Sequence, residues 1–125
     1  MAERQLIGKT GEDLAASYLE RLGWRIIDRN WRFSRLGEID IVAIEPSGTG
    51  RGVLVFCEVK SRSQNVFGEP LEAITRAKLN RLHRLAGVWM STHRMGYDLV
   101  RIDAIGVFSQ PGAKPVITHV KAVRM

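Results

Sequence analysis

The chain has one cysteine, Cys57, so no internal disulfide is possible and a cytosolic setting is the simplest fit. Charges interrupt every apolar run before it reaches the length of a membrane span, so no membrane partner is expected. The opening Met1-Ala2-Glu3-Arg4-Gln5 lacks the basic start and apolar stretch of a secretory signal. No long polar or low-complexity tract points to disorder. Paired-cysteine zinc spacing, a Ser-His-Asp order and a nucleophile elbow are all missing. His83, His93 and His119 show no metal-ligand spacing and are expected at the surface or on phosphates. Acidic residues are missing between Glu72 and Asp98, where Arg76, Lys78, Arg81, Arg84 and Arg94 fall. A solvated helix ordinarily mixes charge signs for pairing one turn apart. The interval therefore reads as a phosphate-binding surface more readily than as a merely basic face.

What is present fits one globular domain, residues 1–125, with 45% hydrophobic content and a core that needs no staples. The net charge of +6 and a pI near 10.1 point to a polyanionic partner. Thr10-Gly11-Glu12-Asp13 reads as a capping box opening a helix, with Thr10 as the cap. Leu14, Ala15, Tyr18, Leu19 and Leu22 continue it at helical spacing, and Gly23 ends it. Strands are expected at Trp24 to Asp28, Glu38 to Ile44 and Val53 to Lys60, with Arg29 to Phe33 as a basic link. The stretch Pro46-Ser47-Gly48-Thr49-Gly50-Arg51-Gly52 is a hairpin connection; it lacks the helix and terminal lysine of a phosphate loop. A long helix follows, with Pro70 at a first helical position, running to about Met90. Strands at Tyr97 to Val107 and Val116 to Val123 complete the order αβββαββ, a mixed α/β domain.

The strands around Gly37-Glu38-Ile39-Asp40-Ile41-Val42 and Val55-Phe56-Cys57-Glu58-Val59-Lys60 carry charges where buried strands should be apolar. Side chains alternate faces, so Glu38 shares a face with Asp40 and Glu58 with Lys60, leaving Cys57 as a buried hydrophobe opposite. Carboxylates on neighbouring strands, with the Val59 carbonyl between Glu58 and Lys60, form a set of hard oxygen donors suited to Mg²⁺. Lys60 stands about 6.6 Å along the strand from Glu58, placed to hold a water or stabilise phosphate charge. The competing reading is structural: Asp40 or Glu58 paired with Lys60, and Glu38 with Arg32 or Arg35. Lys78 falls within the apolar stripe of Leu71, Ile74, Leu82, Leu85 and Trp89. It either snorkels to water or points into a carboxylate-lined cleft. Glu12, on its helix's inward side, is explained locally by the helix dipole.

The ordered set Gly8…Gly11-Glu12…Ala15…Tyr18-Leu19…Gly23, Asn30-Trp31-Arg32, Gly37-Glu38-Ile39-Asp40, Glu58-Val59-Lys60-Ser61-Arg62, Phe67-Gly68-Glu69-Pro70 and Lys78 resembles the bacterial YraN family. This endonuclease-like group is matched from about Gly8 to Val107. The resemblance implies a restriction-endonuclease-like fold of the PD-(D/E)XK superfamily, akin to archaeal-type Holliday-junction resolvases. It implies that Asp40 and Glu58 hold a metal, that Lys60 is the motif lysine and that Glu12 completes the site. Lys78, with Glu69 and Arg62, would line the cleft. Ile39 stands where the superfamily has proline, and Arg101-Ile102-Asp103-Ala104 replaces the more typical Arg-Phe-Asp-Val.

The expectation is a Mg²⁺- or Mn²⁺-dependent endonuclease acting on DNA, including branched or structured DNA. Glu12, Asp40, Glu58 and the Val59 carbonyl would serve the metal, and Lys60 would serve the attacking water. Arg62, Arg76, Lys78, Arg81 and Arg84 would contact phosphates. A two-fold homodimer would match paired cleavage points. The rival expectation is a non-catalytic nucleic-acid-binding module, or an accessory subunit, that keeps the nuclease fold.

Overall fold

The computed structural model describes the backbone of residues 2–62 and 74–124 and the side chains of residues 10–62 and 74–124. Its elements are α1 (Ala2–Arg21), β1 (Arg25–Phe33), β2 (Gly37–Glu45), β3 (Val53–Arg62), α2 (Arg76–Thr92), β4 (Leu99–Phe108) and β5 (Val116–Val120). The strands form one five-stranded sheet in sequence order. β3 and β4 are parallel and the other neighbours antiparallel. A parallel pair needs a crossover, and α2 lies on it. The order αβββαββ around a mixed sheet is consistent with the restriction-endonuclease-like fold. Among the described residues, no helix is long and apolar enough to cross a membrane.

Each sheet face has its own core. Val42, Phe56, Leu82, Leu85 and Trp89 are buried beneath α2, while Ala15, Leu19, Ile41, Val55 and Cys57 are buried beneath α1. The central strands are Ile- and Val-rich because both their faces are covered.

Local chemistry sets several boundaries. Gly23, at φ +90°, closes α1 in a Schellman motif: the Trp24 N–H donates to the Leu19 carbonyl at 3.0 Å, and the Gly23 N–H to that of Glu20 at 2.9 Å. Between β2 and β3, a Cβ on Gly52 would sit 2.9 Å from the Glu45 carbonyl oxygen, and its φ of +85° further requires glycine.

Other boundaries differ from the sequence reading. Thr10 is interior to α1, not its cap, because helix-forming residues continue upstream and Gly8 and Gly11 do not stop them. Asp13 closes no capping box and instead accepts from Arg29 at 2.7 Å. Arg29 to Phe33 is strand, not link, with Trp31 opposite Ile39 and Phe33 opposite Gly37. An edge strand tolerates this basic sequence because Arg32 stays exposed and Arg29 pairs with Asp13. The register shifts at Ile27, between Ile26 and Asp28. α2 begins at Arg76, where the Thr75 hydroxyl accepts the Lys78 N–H at 3.1 Å. The expected start at Pro70 lies outside the described residues. His119 is not a surface residue: its ring is bonded to the Asp103 carboxylate and the Tyr18 hydroxyl, at 2.8 and 2.9 Å.

Candidate metal centre

The β2–β3 ladder runs from Glu45 opposite Val53 to Ile41 opposite Cys57 and then stops. At the next position the side chain of Asp40 enters the gap, and its Oδ2 accepts the Val59 N–H at 2.7 Å. A carboxylate here takes the place of a backbone acceptor. The consequence is visible in the flanking residues. Ile39 packs in the core beneath α2 and Ile41 in the core beneath α1, so strict alternation breaks around Asp40. Asp40 is thereby 8% exposed, and groups from both sides of the sheet can reach it.

α1 supplies one of them. A Cβ on Gly11 would overlap the Ser61 hydroxyl and lie 2.8 Å from Ser61 Cβ, so only glycine lets the helix settle this closely on β3. That approach delivers Glu12, the next residue, to the gap. Oxygens of Glu12, Glu38 and Asp40 then lie within 4.8 Å of one another. The Asn30 side chain lies near Glu12 and opposes the rise in its pKa. Asn30 itself has a left-handed φ of 51°, a conformation asparagine tolerates better than most residues. Glu38 is more exposed and also faces Arg32 at 4.0 Å.

From the α2 side come Glu58, Lys60 and Lys78. Lys78 Nζ stands 4.0 Å from Glu58 Oε1, a loose ion pair, so this lysine faces the carboxylates from the helix's apolar stripe. Burial and then the neighbouring Asp40 push the Glu12 carboxyl up to about 7. Burial, followed by the charge of Glu58, pushes Asp40 up to about 7 despite the Val59 N–H. Burial also raises Glu58, opposed by Lys78 and Lys60. Contact with Lys78 and then burial hold Lys60 below its ordinary value.

The cleft between α2 and the sheet encloses about 360 Å³ and is lined by Arg32, Glu38, Asp40, Glu58, Lys78 and Arg81 among others. Glu12 meets Asp40 and Glu38 in one carboxylate cluster, Asp40, Glu58 and Lys78 line the cleft, and Lys60 lies beside Lys78 and Glu58 without lining it. Arg81 joins them at the cleft, whereas Arg62, Arg76 and Arg84 are exposed and do not line it. What the structure shows of Val59 is its N–H on Asp40; its residue pairs with Ile105 of β4. Glu69 lies outside the described residues. Three participants were absent from the expected site: Glu38 as a cluster member, Asn30 behind Glu12, and Arg32 at the cleft. Glu38 had a signal in its spacing of two from Asp40, Arg32 in its expected pairing with Glu38, and Asn30 only in the Asn30-Trp31-Arg32 motif of the resemblance.

These donors fit a hard divalent cation. Mg²⁺ and Mn²⁺ prefer oxygen ligands, and carboxyls held protonated by mutual repulsion and burial relax when a cation replaces the proton.

Comparison with known proteins places the whole arrangement. The description "Uncharacterised protein family UPF0102" matches residues 11–107. A UPF0102 protein of Arthrobacter sp. (strain FB24) is 44% identical over 123 residues, covering 98% of this chain and 99% of that protein. One from Mycobacterium sp. (strain KMS) is 45% identical over 120 residues, covering 96% and 86% respectively. Another, from Renibacterium salmoninarum, is 44% identical over 117 residues, covering 94% of each. With its match spanning both sides of the carboxylate cluster, the chain belongs to the UPF0102 family, the YraN family that its motifs resemble.

Proposed function

We propose that this protein is a metal-dependent endonuclease that hydrolyses DNA phosphodiesters, with branched or structured DNA as its substrate. The observation that supports this most is the convergence of Glu12, Glu38 and Asp40 within 4.8 Å, beside Glu58 and two lysines. Nothing in the packing of the sheet requires so much like charge at one gap. Glu12, Asp40 and Glu58, joined by Glu38, would hold Mg²⁺ or Mn²⁺. The bound ion supplies Lewis acidity toward a phosphoryl oxygen and makes water a better acid. Lys60 orients the attacking water. Lys78, reaching in from α2, offsets the negative charge that develops on phosphorus-bound oxygens. Arg81 and Arg32 draw the backbone into the cleft, while Arg62, Arg76 and Arg84 add phosphate contacts outside it. Paired centres in a two-fold homodimer would suit a substrate cut on two strands.

The test is direct. Purified protein is incubated with duplex, single-stranded, flapped and four-way-junction DNA, and with RNA, in Mg²⁺ or Mn²⁺. Cleavage that needs the ion and falls at least about 100-fold in Glu58→Ala and Lys60→Ala is the expected result. Salt-sensitive binding with no cutting under any condition would overturn the enzyme and leave a binding module.

A further inference from the structure

Two aromatic rings beside the cleft remain without a role in hydrolysis. Trp31 and Phe33 stand two apart on β1 and stack with ring centroids 6.0 Å apart and planes only 10° from parallel. Trp31 is tied into the protein: it meets His93 edge-on at 6.3 Å, and His93 lies flat on buried Trp89 at 4.0 Å and 2°. Phe33 ends this row and is 44% exposed. Isolated exposed hydrophobics are ordinary on a protein surface. This one differs in its setting.

Among the described residues β1 is an edge strand, with no further strand beside it. The cross-strand partner of Phe33 is Gly37, which has no side chain to shield the ring and lines the cleft. Arg81 of α2 packs over Gly37, its Cδ 3.3 Å from where a Cβ would sit. Arg32 lies between the two aromatics in sequence and also lines the cleft, and exposed Arg35 follows in the turn. An uncovered aromatic face at the end of a supported stack, flanked by arginines, has the chemistry of a nucleobase platform.

We propose that Phe33, backed by Trp31, stacks an unpaired nucleobase while Arg32, Arg35 and Arg81 take the adjoining phosphates. This rests on the nuclease reading and narrows it. The preferred substrate has unpaired or splayed nucleotides next to the cleft, because bases within a continuous duplex are stacked on one another and offer no face. The stack is already formed without ligand, so little ordering opposes binding. DNA and RNA share this chemistry.

The experiment measures binding without cleavage. Fluorescence anisotropy is recorded in EDTA, at fixed salt, with labelled single strands of DNA and RNA and a blunt DNA duplex of the same length. The wild-type protein binds a single strand more tightly than the duplex. Phe33→Ala weakens single-strand binding about tenfold, the scale of one lost base stack, and changes duplex binding less than about twofold. Phe33→Tyr retains the wild-type preference. Phe33→Leu keeps apolar bulk but lacks an aromatic face, so it behaves as Phe33→Ala and separates stacking from a folding defect. The DNA and RNA arms identify which polymer supplies the base. Equal affinity for duplex and single strand, or wild-type binding by Phe33→Leu, overturns the platform while leaving the nuclease standing. No binding to any of these polymers overturns both.

Discussion

Asp40 answers to three neighbours at once: the Val59 N–H that orients it, and the carboxyls of Glu58 and Glu38 that repel its charge. Burial and repulsion place both Asp40 and Glu12 at about 7, well above the usual carboxylate value. The sign of the linkage follows. The folded state holds these protons more tightly than the unfolded chain, so stability falls as pH rises from about 4 to about 7 and then levels. Asp103 and Glu45 are held below their ordinary values, and their contribution is lost only as pH falls below about 4. Between pH 5.5 and 8 the cluster therefore decides the slope. Without divalent ions the melting temperature should be lower at pH 8 than at pH 5.5. Mn²⁺ should raise it by several degrees at pH 8 and far less at pH 5.5, where protons compete. In Asp40→Asn the amide oxygen can still accept the Val59 N–H while the repulsion is gone. That variant should melt higher than wild type at pH 8 and lose the Mn²⁺ shift. Ion-free thermal melts that rise from pH 5.5 to 8 would contradict the carboxylate account.

At the scale of elements, the question is why α1 lies close enough for Glu12 to matter. Gly11 is the answer, and glycine inside a helix costs about 1 kcal/mol relative to alanine, a cost that points to close approach. Gly11→Ala drives a methyl against Ser61, so it should destabilise by about 1–3 kcal/mol and lift Glu12 away from Asp40. Calorimetric Mn²⁺ titration should show affinity reduced about tenfold or more, with partial recovery in Gly11→Ala/Ser61→Ala. Unchanged Mn²⁺ affinity in a destabilised single variant would separate the helix from the centre. The same elements show what sequence could disclose. The Schellman glycine, the glycine hairpin and the apolar stripe with Lys78 are written in local residue chemistry, and they were legible. The second half of β1 was not, because an edge strand hides its register behind solvated arginines. Nor was the buried His119, whose partners Tyr18 and Asp103 come from distant segments. Local chemistry gave Glu12 only a helix-dipole role, and the family resemblance alone brought it into the site. Spacing put Glu38 on the face of Asp40, but its closeness to Glu12 depends on where α1 settles, which spacing does not reveal.

Across the whole molecule, charge is arranged in two opposite ways on one sheet. At the β2–β3 gap like charges face one another in a cluster that could hold a cation. On β4 and β5 opposite charges are saturated. Fully buried Asp103 accepts from Arg101 Nε at 2.8 Å, from His119 Nε2 at 2.8 Å and from the Ala122 N–H at 3.1 Å. Arg101 and Lys121 each bond Glu45 at 2.7 Å, tying this network to β2, while Tyr18 ties it to α1. One end of the sheet is thus satisfied within the protein and fastens four elements together; the other carries unbalanced like charge. Substitution should separate them. Asp103→Asn removes the charge that balances Arg101 and turns part of an acceptor into a donor facing two donors. Breaking such a buried pair costs about 3–5 kcal/mol, which lowers the melting temperature by roughly 10–20 °C in a domain of this size. Below that transition, the folded variant should bind Mn²⁺ within about twofold of wild type, because the network does not touch Glu12, Glu38 or Asp40. Asp40→Asn should do the reverse, raising stability at pH 8 and abolishing binding. Thermal melts and calorimetric titrations of the two variants test that opposition, and loss of Mn²⁺ affinity in folded Asp103→Asn would show that the two ends act as one.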